Sequence, residues 1–432
     1  MGLIMKIDKM IWSLLCVGVL MCFSSGAIAE ESGAKNYYEG AANTRSGRIQ
    51  MGHFTIIPGI ALQEEYDDNI FLGNGGNNTT ERKESDWITH IKPSLVARYD
   101  MMGRGALSLG YIGDFAFYNT NNNNNWNSHT VAFKGDYKAP AGLILGINND
   151  YINADDPYSD ANQYKLGQQT KRWNDDLQTK IGYEFSDRFR VMAFYNFYTL
   201  KYDLDQDSTQ DFNSNEVGAG VEMKVMPMTW AFLRYYTGER NYTSHPADVP
   251  NFSDSNDADF KWNRVNTGLT WDATAKISGE LNLGYEWLTA NNQVDPYGNP
   301  YEDHNSWIAS TRVDYRVTPK TRLGAELFRA TRFSGGNLSQ FYDETGFGVN
   351  LNQAVMTKGI LRAGAGYALH DYNQPYIDKR KDDNYKALIG FDYYIQDWLM
   401  AGVEYRYWDR ESNEDINSFK DNRFMMTVAI AY

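Results

Sequence analysis

The sequence predicts an all-β protein folded as a single antiparallel transmembrane β-barrel of about 18 strands (16–18), with short periplasmic turns and long extracellular loops. Three observations predict it. Apolar and polar residues alternate at period two through nearly the whole chain after His53, the connections alternate in length, and the composition is aromatic without being apolar. With 15% aromatic residues, 31 Tyr, 37 Gly and a mean hydropathy of -0.57, the chain fits a wall apolar only on alternate residues rather than a bundle of membrane helices.

At the amino-terminal end, Lys6 and Lys9 precede an apolar run from Ile11 to Phe23, and Ala27-Ile-Ala29 offers a small-x-small cleavage site before Glu30. This reads as a secretory signal peptide over 1–29. The run is too short for a membrane-spanning helix, which needs roughly 20 apolar residues. Both cysteines, Cys16 and Cys22, lie inside it, so the mature chain is expected to carry no disulfide and no thiol chemistry. The formal charge of -14 is acidic, which argues against nucleic acid and against a polybasic membrane-surface role. Residues 30–52 are polar and aperiodic and read as a periplasmic lead-in; 53–432 form the barrel.

The predicted strands are 54–67, 85–99, 106–118, 128–137, 142–152, 171–185, 189–203, 211–225, 230–242, 259–271, 276–289, 304–317, 321–333, 340–351, 358–371, 383–394, 398–410 and 419–432. The turns between the second and third, fourth and fifth, and later even-odd pairs are short; the intervening loops are mostly longer and crowded with Asn, Asp, Gly and Ser. An even strand count puts both ends on the short-turn, periplasmic side. Faces split cleanly in several strands. In 276–289, Ile277, Leu281, Leu283, Tyr285 and Trp287 oppose Glu280, Asn282, Gly284 and Glu286. Trp230, Trp271 and Trp398 at the turn side, with Trp87, Trp173, Trp262, Trp287, Trp307 and Trp408 at the loop side, suggest two aromatic girdles. Pro58 and Pro93 fall inside strands and predict bulges near the periplasmic rim. The Gly-rich strand 340–351 leaves the count open by two.

In the last strand, Phe424, Met426, Val428, Ile430 and Tyr432 share one face, and Met425, Thr427, Ala429 and Ala431 the other. The pattern resembles the terminal assembly signal of bacterial outer-membrane barrels. It implies the barrel assembly machinery as a partner.

Near the start of the barrel, Tyr66-Asp67-Asp68-Asn69-Ile70-Phe71 is followed by Ser85-Asp86-Trp87-Ile88-Thr89, Pro93-Ser94-Leu95 and Leu107-Ser-Leu-Gly110-Tyr111. This order resembles the outer-membrane β-barrel porin family often encoded beside exopolysaccharide biosynthesis genes. The resemblance implies an outer-membrane location, contact with outer-membrane lipid and lipopolysaccharide, and a porin-like role tied to polysaccharide or its export machinery. It carries no catalytic residue. Read on their own, Asp67 and Asp68 suit either a hard cation such as calcium, which wants clustered oxygens, or the backbone donors of a turn.

An inward face of mixed charge follows from the alternation. It holds Lys92, Arg98, Asp114, Lys134, Lys180, Arg190, Arg234, Arg264, Glu280, Glu286, Arg312, Asp314, Glu326, Arg362, Lys386, Asp392, Glu404 and Arg406 as candidate channel-lining residues. Such a lining either pairs its charges and holds the wall open in water or sets up a transverse field that selects solutes. Glu64 and Glu65 read as a solvated strand end. The loop 153–170 is long enough either to fold into the pore or to cap it.

No enzyme is expected, and no cofactor or metal. The six His are scattered, with no HExxH and no local pair at ligand spacing, and nothing resembles a nucleophile elbow or a phosphate loop. Three roles are weighed: a passive or weakly selective porin, a component for exopolysaccharide export or binding, and a structural barrel with a plugged lumen. For the second, Trp126, Tyr158, Tyr164, Tyr297 and Tyr301 are aromatic loop residues suited to stacking on sugars.

Overall fold

Strands with one apolar and one polar face are stable in a membrane only when every backbone donor and acceptor is paired, which requires the sheet to close on itself. The computed structural model of the protein closes it. Its described residues are 49–76, 82–155, 169–245, 253–271, 276–333, 341–373 and 379–431, so the expected signal peptide, most of the lead-in, the loop residues 156–168 and Tyr432 lie outside them.

A short strand β1 (Ile49–Met51) turns through Gly52, at φ +64°, into β2 (Phe54–Asp67). Then follow β3 (Asp86–Asp100), β4 (Gly105–Tyr118), β5 (Trp126–Lys138), β6 (Leu143–Ala154), β7 (Arg172–Ser186), β8 (Phe189–Tyr202), β9 (Phe212–Met226) and β10 (Thr229–Tyr242). The second half is β11 (Phe260–Trp271), β12 (Ile277–Ala290), β13 (His304–Thr318), β14 (Thr321–Phe333), β15 (Phe341–Val355), β16 (Gly359–Tyr372), β17 (Lys381–Gln396), β18 (Leu399–Ser412) and β19 (Phe419–Ala431). Each strand from β2 onward pairs antiparallel with the next, and β19 closes on β2 from Arg423↔Asp67 to Ala431↔Gly59. The barrel therefore has 18 strands, of 12 to 16 residues each. These exceed the roughly 9–11 residues a tilted crossing needs, so the strands project beyond the hydrocarbon layer. No helix among the described residues is long and apolar enough to cross a membrane.

Burial is inverted relative to a soluble sheet. Leu62 is 50% and Leu327 58% exposed on the outside, whereas Glu222 on the inside is 2% exposed. The apolar face looks to lipid and the charged face inward. Glycines on the inner face make room for large neighbours: a Cβ at Gly218 would sit 2.3 Å from the Tyr236 ring, and one at Gly346 2.6 Å from Phe328. The Gly-rich strand expected at 340–351 forms for this reason, and runs on to Val355 as β15.

Three expectations are corrected. First, Pro58 and Pro93 produce no bulge: β2 and β3 stay in register through Pro58↔Leu95 and Ile60↔Pro93. Pro58 stands past Gly59, the last β2 residue paired with β19 among the described residues, and the β3–β4 ladder steps over Lys92 and Pro93 without shifting. Neither proline is asked for a ladder donor. Register shifts occur instead beside turns, at Glu184/Ser186, Thr229/Trp230, Arg316/Thr318 and Tyr394/Gln396. Second, the tryptophan girdles are incomplete. Trp87, Trp287 and Trp307 are exposed outside and Trp398 is exposed in the turn between β17 and β18, but Trp230, Trp262 and Trp408 turn inward, where Arg190, Glu216 and Lys386 engage their rings. Third, Trp126 is not a loop residue. It opens β5 and is buried with Ile70, Ile88, Ala116 and Tyr118, which removes it from any sugar-stacking set; Tyr158 and Tyr164 lie outside the described residues.

Candidate functional site on the inner wall of the barrel

Because cross-strand neighbours point the same way, each strand register carries its charges into a belt around the inner wall. Every one of the candidate lining residues named from sequence stands on this inner face, and most are drawn into local networks.

Between β2, β3 and β4, Asp114 takes His90 Nδ1 at 2.9 Å and Lys92 Nζ at 3.3 Å, and Lys92 also donates to Gln63 Oε1 at 3.1 Å. Glu65 lies 3.7 Å from His90 Nε2 and 4.0 Å from Arg423. It is buried in the wall, which corrects its reading as a solvated strand end. Glu64 instead accepts Thr89 Oγ1 at 2.9 Å on the other face.

Across β8 to β12 the wall is built on two carboxylates. Glu222 takes both Arg190 and Arg234, the latter at 2.7 Å. Glu216 accepts Trp262 Nε1 at 2.7 Å, Asn196 Nδ2 at 2.8 Å and Arg264 Nη2 at 2.8 Å, while Arg264 also reaches Glu286 at 3.5 Å. Breaking such a desolvated pair costs more than forming it returns, so the pairs fix geometry before they add stability.

From β16 to β18, Arg362 forms a fork with Asp392 at 2.7 and 3.0 Å and reaches Glu404 at 2.5 Å, which also takes Arg406 at 2.5 Å. Lys386 lies 4.3 Å over the Trp408 ring. Lys180 pairs with Asp136 at 3.3 Å, and Arg98 and Lys134 flank Ser108 from either side. On β13 the wall opens. Arg312 and Asp314, 3.4 Å apart, keep 48% and 55% of their side-chain surface exposed, with Glu280 and Glu326 opposite Arg312 on the two neighbouring strands.

Sequence reasoning missed several members: Glu216, Arg332 with Glu344 at 2.9 Å, and Arg380 with Asp382 at 2.6 Å. Arg332 and Asp382 have the inward parity of residues it did name, six from Glu326 and four from Lys386, and Glu216 and Glu344 share the inward face of their own strands. Parity alone was the available signal.

The Tyr66–Phe71 motif joins the first loop to the closing strand. Asp68 accepts Asn422 N at 2.8 Å, Asn422 Nδ2 at 2.9 Å and Lys83 Nζ at 3.1 Å; Asn69 donates to Gly73 O and to Lys420 O, both at 2.9 Å. Asp67 accepts Asn69 N at 2.6 Å and faces Arg423 at 3.4 Å, Ile70 is buried, and Tyr66 and Phe71 pack against Trp87 and Arg82. Oxygens of Asp67, Asp68 and Asp421 lie within 4.8 Å of one another, and all three carboxylates are engaged by these or like protein donors. In β19, Phe424, Met426, Val428 and Ile430 are exposed on the outer face.

Beyond the ends of β10 and β11, the described residues of the loop between them are tied to one another. His245 holds Asp257 at 3.1 Å and Asp254 at 3.4 Å, Asn292 donates to Asp257 Oδ1 at 2.7 Å, and Asp259 accepts Tyr242 N at 2.6 Å. Burial pushes the Asp257 carboxyl up and raises Asp259 to about 6, with the neighbouring Asp257 adding to the rise.

Solved structures similar to this chain include three proteins of Pseudomonas aeruginosa, among them the outer membrane protein OpdK. OccK3 (OpdO) is 11% identical with a TM-score of 0.45, covering 87% of this chain and 96% of that one. OpdK is 12% identical with a TM-score of 0.45, covering 87% and 99%, and OccK9 (OpdG) is 9% identical with a TM-score of 0.46, covering 88% and 98%. Similarity at this level assigns no residue and no role. No curated protein matches the chain. A family model does, along residues 46–432, and the protein belongs to that family, described as Putative beta-barrel porin 2, as a porin-like outer-membrane barrel.

Proposed function

We propose that the protein is a channel of the outer membrane for passive, weakly selective passage of hydrophilic solutes, with no enzymatic activity. One observation carries this reading: among the described residues the inner charges pair with neighbours along the wall, on the same or nearby strands, not across the lumen, and Arg312 and Asp314 keep half of their surface exposed inside it. The candidate lining residues then act as a solvated rim, and short-range pairing mutes the field that a solute meets. Lipid and lipopolysaccharide surround the wall, and the barrel assembly machinery inserts it through the alternating face of β19.

A second reading, binding or export of exopolysaccharide, draws on the loop at 291–303, where Tyr297 is 68% exposed and its ring is presented outward. Single-channel conductance of the refolded mature protein in a planar bilayer tests the first. Stable ohmic steps are expected, and their absence from folded protein refutes an open channel. Block by added neutral oligosaccharides that Tyr297→Ala weakens supports the second.

A further inference from the structure

Among the described residues, one pair of inner cations stands face to face with no acid between them. Arg316 on β13 stands directly opposite Arg322 on β14, one step inside the turn that joins the strands, and both have the inward parity of Arg312. Like charges facing each other across a strand pair repel. No carboxylate lies within ion-pair distance of either guanidinium among the described residues, and neither donates a side-chain hydrogen bond. Asp314, the nearest acid along β13, is held by Arg312 at 3.4 Å. In the next strand Arg322 faces Asn352, and beyond it Arg362 is already neutralised by Asp392 and Glu404. Two guanidinium groups and an amide are thus left side by side on the wall of the periplasmic mouth, with Arg322 exposed to the lumen.

Other inner cations without an acid, Arg98 and Lys134, are separated by the strand carrying Ser108, so they do not form a pair. Planar guanidinium forks match the geometry of carboxylate, sulfate and phosphate, and two of them in adjacent strands can share one such group. We propose that Arg316 and Arg322, with Asn352, form an oxyanion-binding site at the periplasmic mouth that takes the charged group of an anionic solute. The site gives the wall a preference that its paired belts lack. This inference rests on the reading of a solute-accessible lumen.

The test compares three solutes of similar size, glucose, glucuronate and glucose 6-phosphate, as blockers of single-channel current. For the native protein, both anions are expected to block at roughly tenfold lower concentration than glucose, the scale of a charge-assisted hydrogen bond or two. In R316Q/R322Q the three should block alike and ion permeability should shift toward cations, while R316K/R322K, which keeps the charge, should retain most of the discrimination. Native protein that treats the three alike, or a Gln variant that still discriminates, overturns the site. Block by glucuronate alone or by glucose 6-phosphate alone identifies which oxyanion the site takes. Heat-modifiable gel migration establishes that each variant is folded. Calorimetric titration of glucuronate and glucose 6-phosphate into the folded protein in detergent separates the two readings. Binding that the Gln variant loses upholds the site even where no current flows, and absence of binding by both anions overturns it whatever the conductance.

Discussion

Asn69 is the residue through which the first loop holds the last strand. Its side chain is fully buried and makes three hydrogen bonds: Nδ2 donates to Gly73 O and to Lys420 O, each at 2.9 Å, and Oδ1 accepts Gly73 N at 3.0 Å. The bond to Lys420 crosses the seam where β19 meets β2, so it acts on barrel closure. In Asn69→Ala, the buried carbonyl and N–H of Gly73 lose their partner, and Lys420 O keeps only a long contact from Lys83 Nζ at 3.5 Å. At about 0.5–1.5 kcal/mol for each net hydrogen bond, more where a group stays unsatisfied, the expected loss is about 2–4 kcal/mol. The assay is guanidinium unfolding of the barrel in lipid vesicles, followed by tryptophan fluorescence and by heat-modifiable migration. Asn69→Asp keeps Oδ1 but loses both donations, and should fall between native and Ala. A change below about 0.5 kcal/mol for Asn69→Ala, the range of neutral surface substitutions, would refute the idea that this loop secures the seam.

Other outcomes follow from the same contacts. Glu222→Gln leaves Arg190 and Arg234 without their shared carboxylate and should cost about 2–4 kcal/mol in the same assay, lowered from the fully buried case by lumen water. Gly142→Ala should destabilise by more than Gly298→Ala: both positions have positive φ, worth about 1 kcal/mol, but only at Gly142 does a Cβ meet backbone, Glu184 O at 2.3 Å. The loop before β11 should respond to pH. Burial raises the Asp259 carboxyl from 3.8 to about 6, so the folded loop takes up a proton; its contribution is complete below 3.8 and is lost as pH rises through about 6. Hydrogen exchange at 253–259, corrected for intrinsic rate, should therefore show greater protection at pH 5 than at pH 7, and Asp259→Asn should remove the difference.

Much of the architecture was legible because one period governs it. Alternation located each crossing, and the Asn-rich and Gly-rich interruptions located the loops, since a lipid-facing wall permits no other register. Where the reading went astray, an individual residue escaped the period. Pro58 and Pro93 implied bulges, yet one stands where pairing with β19 has ended and the other where the β3–β4 ladder skips two residues without slipping. Trp230, Trp262 and Trp408 implied girdles because they lie near strand ends, but parity sends them inward to charged partners. Glu65 looked solvated because an adjacent acid suggested a strand end; in the barrel it faces His90 and Arg423, more than 300 residues apart in the chain.

The sequence by itself determined the fold class, the number of crossings to within two and which residues face inward, because these depend on local alternation and on the need to satisfy every backbone group within the sheet. Only the tertiary structure decided which inner charges meet. That Glu222 joins Arg190 to Arg234, that Asn69 reaches Lys420, and that Arg316 faces Arg322 with no acid beside them all depend on register between strands and on the closure of β19 against β2. A shift of one residue in any pairing would leave the composition of each strand unchanged and rearrange every ion pair, which is why partners cannot be read from periodicity alone.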